Sequence, residues 1–105
     1  MLSRPEPELA VVGAGKRDMG SDVELPVPIR WRSSQARVSA PLGEAVTLQL
    51  SDQHAHVRVP ADHAIAVGDA VAFGVSHPCT TFDRWRAALL VDDEDRVLDV
   101  VRTYF

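Results

Sequence analysis

The residues best equipped for chemistry stand in one run, Ser76-His77-Pro78-Cys79-Thr80-Thr81-Phe82-Asp83, where an imidazole and the chain's single thiol lie two apart across a proline. In an extended backbone, side chains two apart share a face, so His77 and Cys79 can grip one ion. Imidazole nitrogen with thiolate sulfur suits zinc, and two protein ligands leave positions open for water or substrate, as a catalytic site requires. By spacing alone the signal is weak, because a His-x-Cys pair is more often a buried thiol beside an ordinary histidine. A second pair, His54 and His56, falls on an expected strand. Metal is conceivable there too, but the commoner arrangement has one histidine hydrogen-bonded in the core and the other exposed. His63 falls in a loop and carries no pattern.

Lys16, the only lysine, follows Val11-Val12-Gly13-Ala14-Gly15. The run resembles the opening of a dinucleotide-binding turn, but position 18 is Asp and a proline-containing loop follows instead of a helix. A phosphate loop also fails, since Ala10 stands where glycine is needed and Arg17 replaces Ser or Thr. A Schiff base with pyridoxal phosphate at Lys16 is conceivable chemistry, yet no neighbouring residue supports it. The plainer reading is a strand whose glycines allow a tight exit, with Lys16 a rim cation paired with Asp18 or Asp22.

The elements that must position these groups read mostly as strands. Leu9 to Val12 runs apolar, and residues 18–39 read as a wrapping loop with Pro26, Pro28 and the anchor Trp31. Residues 44–60 alternate, with Val46, Leu48 and Leu50 on one side and Thr47 and Gln49 on the other. Val57 and Val59 then oppose His56 and Arg58, after a turn near Ser51-Asp52. Residues 60–68 form a loop, and 69–76 form a strand ended by His77-Pro78, because proline cannot donate to a ladder. A short helical turn follows, with Thr80 and Asp83 as a variant capping box. A strand over 87–91, a polar turn at 92–95 and a returning strand over 97–105 complete a hairpin. The sum is a mostly β fold, a small antiparallel β-domain with at most short helical turns.

Composition sets the outer limits. The chain has 105 residues, 46% apolar and 25% charged, enough for one small domain and far from the profile of a disordered segment. A net charge of −4, with ten arginines dispersed and one lysine, argues against a basic face for nucleic acid. No apolar window approaches the roughly 18 residues of a membrane span, and the N-terminus carries no recognisable targeting segment. One cysteine excludes an intrachain disulfide and makes a reduced, cytoplasmic setting the default.

The run from Gly68 to Trp85 resembles the C-terminal domain of the D-serine dehydratase-like family. Gly15-Lys16-Arg17-Asp18, Leu25-Pro26-Val27-Pro28, Asp52-Gln53-His54-Ala55, Val91-Asp92-Asp93 and the ending Val101-Arg102-Thr103-Tyr104-Phe105 are similar to the family's text in its order. The resemblance covers nearly the whole chain. It implies a β-domain of the alanine-racemase-like C-terminal type over 1–105, part of a fold type III pyridoxal-phosphate enzyme. The α/β barrel carrying the cofactor lysine would precede Met1, so the chain is expected to be a fragment, by truncation or a misplaced start, and inactive alone.

By the same resemblance His77 and Cys79 match zinc ligands, while His54 and Asp83 match positions near them that would orient a ligand or water. Pyridoxal phosphate is expected only with the barrel, and no residue here is assigned to catalysis or to holding that cofactor. The implied reaction eliminates water from a small β-hydroxy D-amino acid, giving a 2-oxo acid and ammonia. Related D-threonine aldolases look similar but place aspartate where Cys79 stands, so the thiolate points to elimination over aldol cleavage. The implied partners are a pyridoxal-phosphate barrel, as domain or protein, and a second copy, since such enzymes pair barrel and β-domain across a homodimer. The competing reading is a standalone, non-catalytic β-module that associates with a barrel protein.

Overall fold

A computed structural model describes residues 1–36 and 38–105. The chain folds as β1 (Ser3–Glu6), β2 (Leu9–Val12), β3 (Val27–Arg32), β4 (Ser39–Pro41), β5 (Val46–Leu50), β6 (Ala55–Arg58) and β7 (Ala70–Gly74), then one helical turn α1 (Cys79–Phe82), β8 (Ala87–Val91) and β9 (Val97–Arg102). Three antiparallel sheets result, ordered β1-β2-β6-β5, β4-β3-β7 and β8-β9. The mostly β, antiparallel reading therefore holds, and the single helical turn and final hairpin fall where the sequence places them. No helix is long and apolar enough to cross a membrane among the described residues.

The first two sheets share one core. The alternation of β6 buries Ala55 and Val57 between β2 and β5, and Val59 continues the same face beyond the strand. Ala10, Val12 and Leu50 join them from the same sheet, and Trp31 from β3. Two polar devices close this core at its rim. The Arg4 guanidinium on β1 donates to the carbonyls of Pro7, Pro60, Ala61, His63 and Ile65, so one side chain holds the 60–65 loop to the first strand. The Asp69 carboxylate, on a residue only 3% exposed, accepts from Trp31 Nε1 at 2.7 Å, the Ser34 amide at 2.8 Å, the Ser34 hydroxyl at 3.1 Å and the Ala66 amide at 2.9 Å. Its backbone carbonyl takes the buried Met1 ammonium.

Among the described residues, the β8–β9 hairpin contributes no buried side chain to that core. Leu89, Leu98 and Val100 are each more than half exposed, as is Leu90 on the other strand face. The hairpin is tied to the sheets at its tip. Arg30 donates to the Asp93 carbonyl at 3.1 Å and Arg32 pairs with Asp95, while the Thr103 amide, donating to the Arg86 carbonyl, only closes the hairpin's own base. Its reach is visible in a radius of gyration of 13.9 Å, against about 13 Å for a compact chain of this length.

Several local expectations give way to tertiary packing. Residues 18–39 are not all loop: Val27–Arg32 is the central strand of its sheet, and a bulge between Pro28 and Arg30 absorbs the proline that lacks a ladder donor. On β5 it is Thr47, not Val46 or Leu48, that is buried with Leu50. A register shift between Thr47 and Gln49 swaps the faces, and the Thr47 hydroxyl is satisfied by the Pro26 carbonyl. Thr80 and Asp83 form no capping box, since α1 opens at Pro78 without a side-chain cap. His63, which carries no pattern in the sequence, packs edge-on against Trp31 at 5.1 Å and accepts from the Ile65 amide through Nδ1.

Burial by itself would raise the Asp69 carboxyl, but the hydrogen bonds from Ser34, Trp31 and Ala66 outweigh it and hold the group below the ordinary aspartate value. A carboxyl lowered on folding stabilises fully above its unfolded value, about 3.9, and that contribution is lost as pH falls through the folded value. Asp69→Ala strands Trp31 Nε1, a buried donor whose loss of a partner costs about 1–3 kcal/mol, while the amides of Ser34 and Ala66, on exposed residues, can turn to water. We expect urea unfolding at neutral pH to register a loss of about 1–3 kcal/mol, and the gap between wild type and variant to narrow below about pH 4. An unchanged midpoint would remove Asp69 from the centre of the fold.

Candidate metal centre

The strand β7 leaves the core at Gly74 and reaches Ser76 and His77 within three residues, so the site sits at the corner between β7 and α1. Pro78 has φ −62° and ψ −34°, already helical, and Cys79 is the first residue of α1. The extended backbone assumed for a His77–Cys79 pair is therefore absent, and the period-two argument for a shared face does not apply at this corner. His77 is half-buried and Cys79 is exposed with a free thiol. Among the described residues no group of three or more His, Cys, Asp or Glu side chains gathers into a metal-holding cluster.

What His77 does meet is Asp22. Its Nδ1 lies 2.6 Å from Asp22 Oδ2, and the other carboxylate oxygen, Oδ1, accepts the Thr80 hydroxyl at 2.6 Å. Those two hydrogen bonds, from Thr80 first and then His77, hold the Asp22 carboxyl down at about 2. Asp22 comes from the segment between β2 and β3, which is laced to the corner on both sides. The Gly20 amide donates to Thr81 Oγ1 at 2.9 Å, and Ser76 Oγ both accepts from the Glu24 amide at 3.2 Å and donates to the Glu24 carbonyl at 3.1 Å. Arg84 donates to the Lys16 carbonyl and Trp85 Nε1 to the Asp18 carbonyl, extending the seam past α1.

Two glycines make this contact feasible. A Cβ at Gly15 would sit 2.4 Å from the Ser51 carbonyl and 2.6 Å from the His54 amide, so the exit from β2 lies directly on the β5–β6 turn. A Cβ at Gly20 would sit 2.3 Å from Thr80 Oγ1 and 3.1 Å from Thr81 Oγ1. The tight exit expected at the glycines after β2 is present. The pairing expected for Lys16 is not: Asp18 accepts the Gly15 amide and Asp22 serves His77 and Thr80, while Arg17 takes the distant Asp52 at 3.9 Å.

The remaining candidates scatter. His54 closes the β5–β6 turn, outside both strands, with its carbonyl accepting from Ser51, and its backbone amide lies against Gly15. Asp83 is the exposed C-cap of α1, joined to the helix through its backbone amide. His56, on β6, has a buried Nδ1 without a hydrogen-bond partner among the described residues, so the core histidine expected there lacks the partner expected with it. Sequence reasoning missed Asp22 as the partner of His77. Fifty-five residues separate them, and the only local cue was Gly20-Ser21-Asp22, a turn-like text that says nothing of what it folds against.

Gly20→Ala tests the seam. The new methyl collides with Thr80 Oγ1, a short side chain with little room to retreat. We expect a stability loss of about 1–3 kcal/mol, as for other overpacked contacts, together with amide shift changes in residues 20–24 and 76–81. A spectrum changed only at residue 20 and its sequence neighbours would show that the two segments do not meet this closely.

The family profile described as a putative serine dehydratase domain matches residues 1–91, which takes in every element from β1 through β8 and the whole of the seam. No curated protein matches the chain significantly. The matched stretch covers most of the chain and includes His77 and Cys79 as well as Asp22, and on that ground the chain belongs to the putative serine dehydratase domain family.

Proposed function

We propose that this chain is the metal-bearing β-domain of a pyridoxal-phosphate-dependent enzyme that eliminates water from β-hydroxy D-amino acids, with His77 and Cys79 as the zinc ligands. The observation that carries the proposal is the 2.6 Å contact between Asp22 and His77 Nδ1, two residues before an exposed free thiol, within the family-matched stretch. The donor set fits zinc. With Nδ1 engaged by a carboxylate, Nε2 is the ring nitrogen left for a metal, and a carboxylate behind a ligating imidazole is the usual arrangement in zinc sites. Cys79, as thiolate, supplies the soft anionic donor. A bound zinc supplies Lewis acidity toward a departing hydroxyl. The work of this chain is to hold two ligands on a corner braced from the β2–β3 segment, leaving further positions for substrate oxygen or water.

The described residues do not fit pyridoxal phosphate. Lys16 is exposed on a turn, whereas a Schiff-base lysine is activated by desolvation or by a cationic neighbour. The cofactor site, and with it the base for the α-proton, is assigned to a barrel on another segment or another protein. The exposed apolar hairpin β8–β9 is what such an association would cover, and it equally supports the second reading, a β-module whose role is docking without catalysis.

Three measurements separate the readings. Borohydride reduction of the chain with pyridoxal phosphate is expected to give no stoichiometric adduct at Lys16, and a specific adduct there would put a cofactor site in this chain. Cobalt or zinc uptake, read by absorption and by metal analysis, is expected to fall by most of its value in Cys79→Ser and in His77→Ala. Full retention in both variants would return the pair to an ordinary structural role. An apolar dye is expected to bind the chain at β8–β9 and to bind less when Leu89→Lys and Val100→Glu are combined, with the core sheets unaffected.

A further inference from the structure

We infer that Asp22 is a positioning residue that fixes His77 in the tautomer protonated at Nδ1, leaving the Nε2 lone pair as the metal donor. The inference rests on the zinc reading above for its use, but its geometry does not. An ionised carboxylate only accepts hydrogen bonds, and a neutral imidazole carries one proton on either ring nitrogen. A contact of 2.6 Å between Asp22 Oδ2 and His77 Nδ1 is a hydrogen bond only when the proton is on Nδ1. The lone pair then stands on Nε2, away from the carboxylate.

The carboxylate is itself held. Thr80 Oγ1 donates its single proton to Asp22 Oδ1 at 2.6 Å, a closer partner than the His77 carbonyl at 3.2 Å. Thr80 therefore occupies one oxygen and His77 the other, which fixes the plane of the carboxylate. Two residues before Asp22, the Gly20 amide is bound to Thr81 Oγ1, and two residues after it, Glu24 is bound through both backbone groups to Ser76. Asp22 is thus suspended between two tethers, both of which end on the same corner that carries His77. Neither His54 nor Asp83 has this relation to the imidazole: His54 is bonded within its own turn, and the carboxylate of Asp83 is bonded to nothing among the described residues.

The full chain, labelled with nitrogen-15, allows a direct reading of the ring proton by long-range proton–nitrogen correlation at about pH 8, above the ordinary histidine value of about 6.5. The expected result is a proton on His77 Nδ1 in the wild type. In Asp22→Asn the amide group can donate to Nδ1, so the proton is expected on Nε2, and cobalt affinity is expected to fall about 10- to 100-fold, as when other partners behind metal ligands are removed. Thr80→Val keeps the carboxylate but frees its plane, so a smaller loss in the same direction is expected. It also carries the test should Asp22→Asn fail to fold by its amide spectrum. Cys79→Ser is expected to abolish the thiolate-to-cobalt absorption while leaving the ring proton where it is.

A wild-type proton on Nε2 would overturn the inference, and so would an unmoved proton in Asp22→Asn or unchanged cobalt affinity once the proton has moved. A wild-type chain with its proton on Nδ1 that takes up no cobalt would refute the zinc reading and leave the tautomer supported.

Discussion

The Asp69 carboxylate is an anion within a core, tolerable only because its acceptor positions are filled by Trp31, Ser34 and Ala66. Each donor comes from a different piece of the chain: the end of β3, the turn after it, and the loop before β7. A fourth piece, the N-terminus, arrives at the Asp69 carbonyl, and Gly68 returns a bond to the Met1 carbonyl. Because β7 starts at the next residue, the same carboxylate sets where that strand lies beside β3, pairing Ala70 with Arg32 and Gly74 with Val27. The corner bearing His77 is the far end of the strand so placed. The position of the candidate ligands therefore depends on a charge buried at the opposite end of β7.

The site itself is built by a different rule. No strand or helix long enough to be rigid presents His77 and Cys79, since α1 is a single turn. Precision comes from lacing two irregular segments together through short, mostly backbone-directed hydrogen bonds, and from glycines that let the segments approach. Loops positioned by a rigid scaffold commonly carry function, and here the scaffold is the β3–β7 pair whose ends open directly into the two segments. The Asp22–His77 contact is where that seam reaches the imidazole.

The β8–β9 hairpin follows neither rule. An isolated two-stranded hairpin is marginal in water, and this one carries Leu89, Leu98 and Val100 uncovered while Arg30 and Arg32 hold its tip. Its polar tip is bound to this domain, and among the described residues its apolar strands are not packed on it. The domain thus divides into a self-sufficient pair of sheets, a laced corner, and an arm whose apolar surface is unused within the chain.

Period-two alternation in Ala55-His56-Val57-Arg58-Val59 and the polar turn at 92–95 between two apolar runs are local signals, and each produced the element it predicts, while the strand before His77-Pro78 ends at Gly74, two residues sooner than read. The run around His77-Pro78-Cys79 was enough to indicate the family without a structure. The alternation at 46–50 misled because a bulge reverses faces at a cost that only the opposing strand can repay. Val27–Arg32 hid as a strand because its prolines speak for loop unless a bulge and two neighbouring strands accept them. Asp22 was invisible as a partner of His77 because no periodicity links residues fifty-five apart. The sequence by itself determined that the segments of β2 and of β5 to β9 extend, where the final hairpin turns and which side chains could ligate, but not that β1, β3 and β4 are strands. Only the tertiary structure decided which face each strand buries and which carboxylate meets the imidazole, because both are settled by contacts between segments whose separation along the chain carries no local free-energy signature.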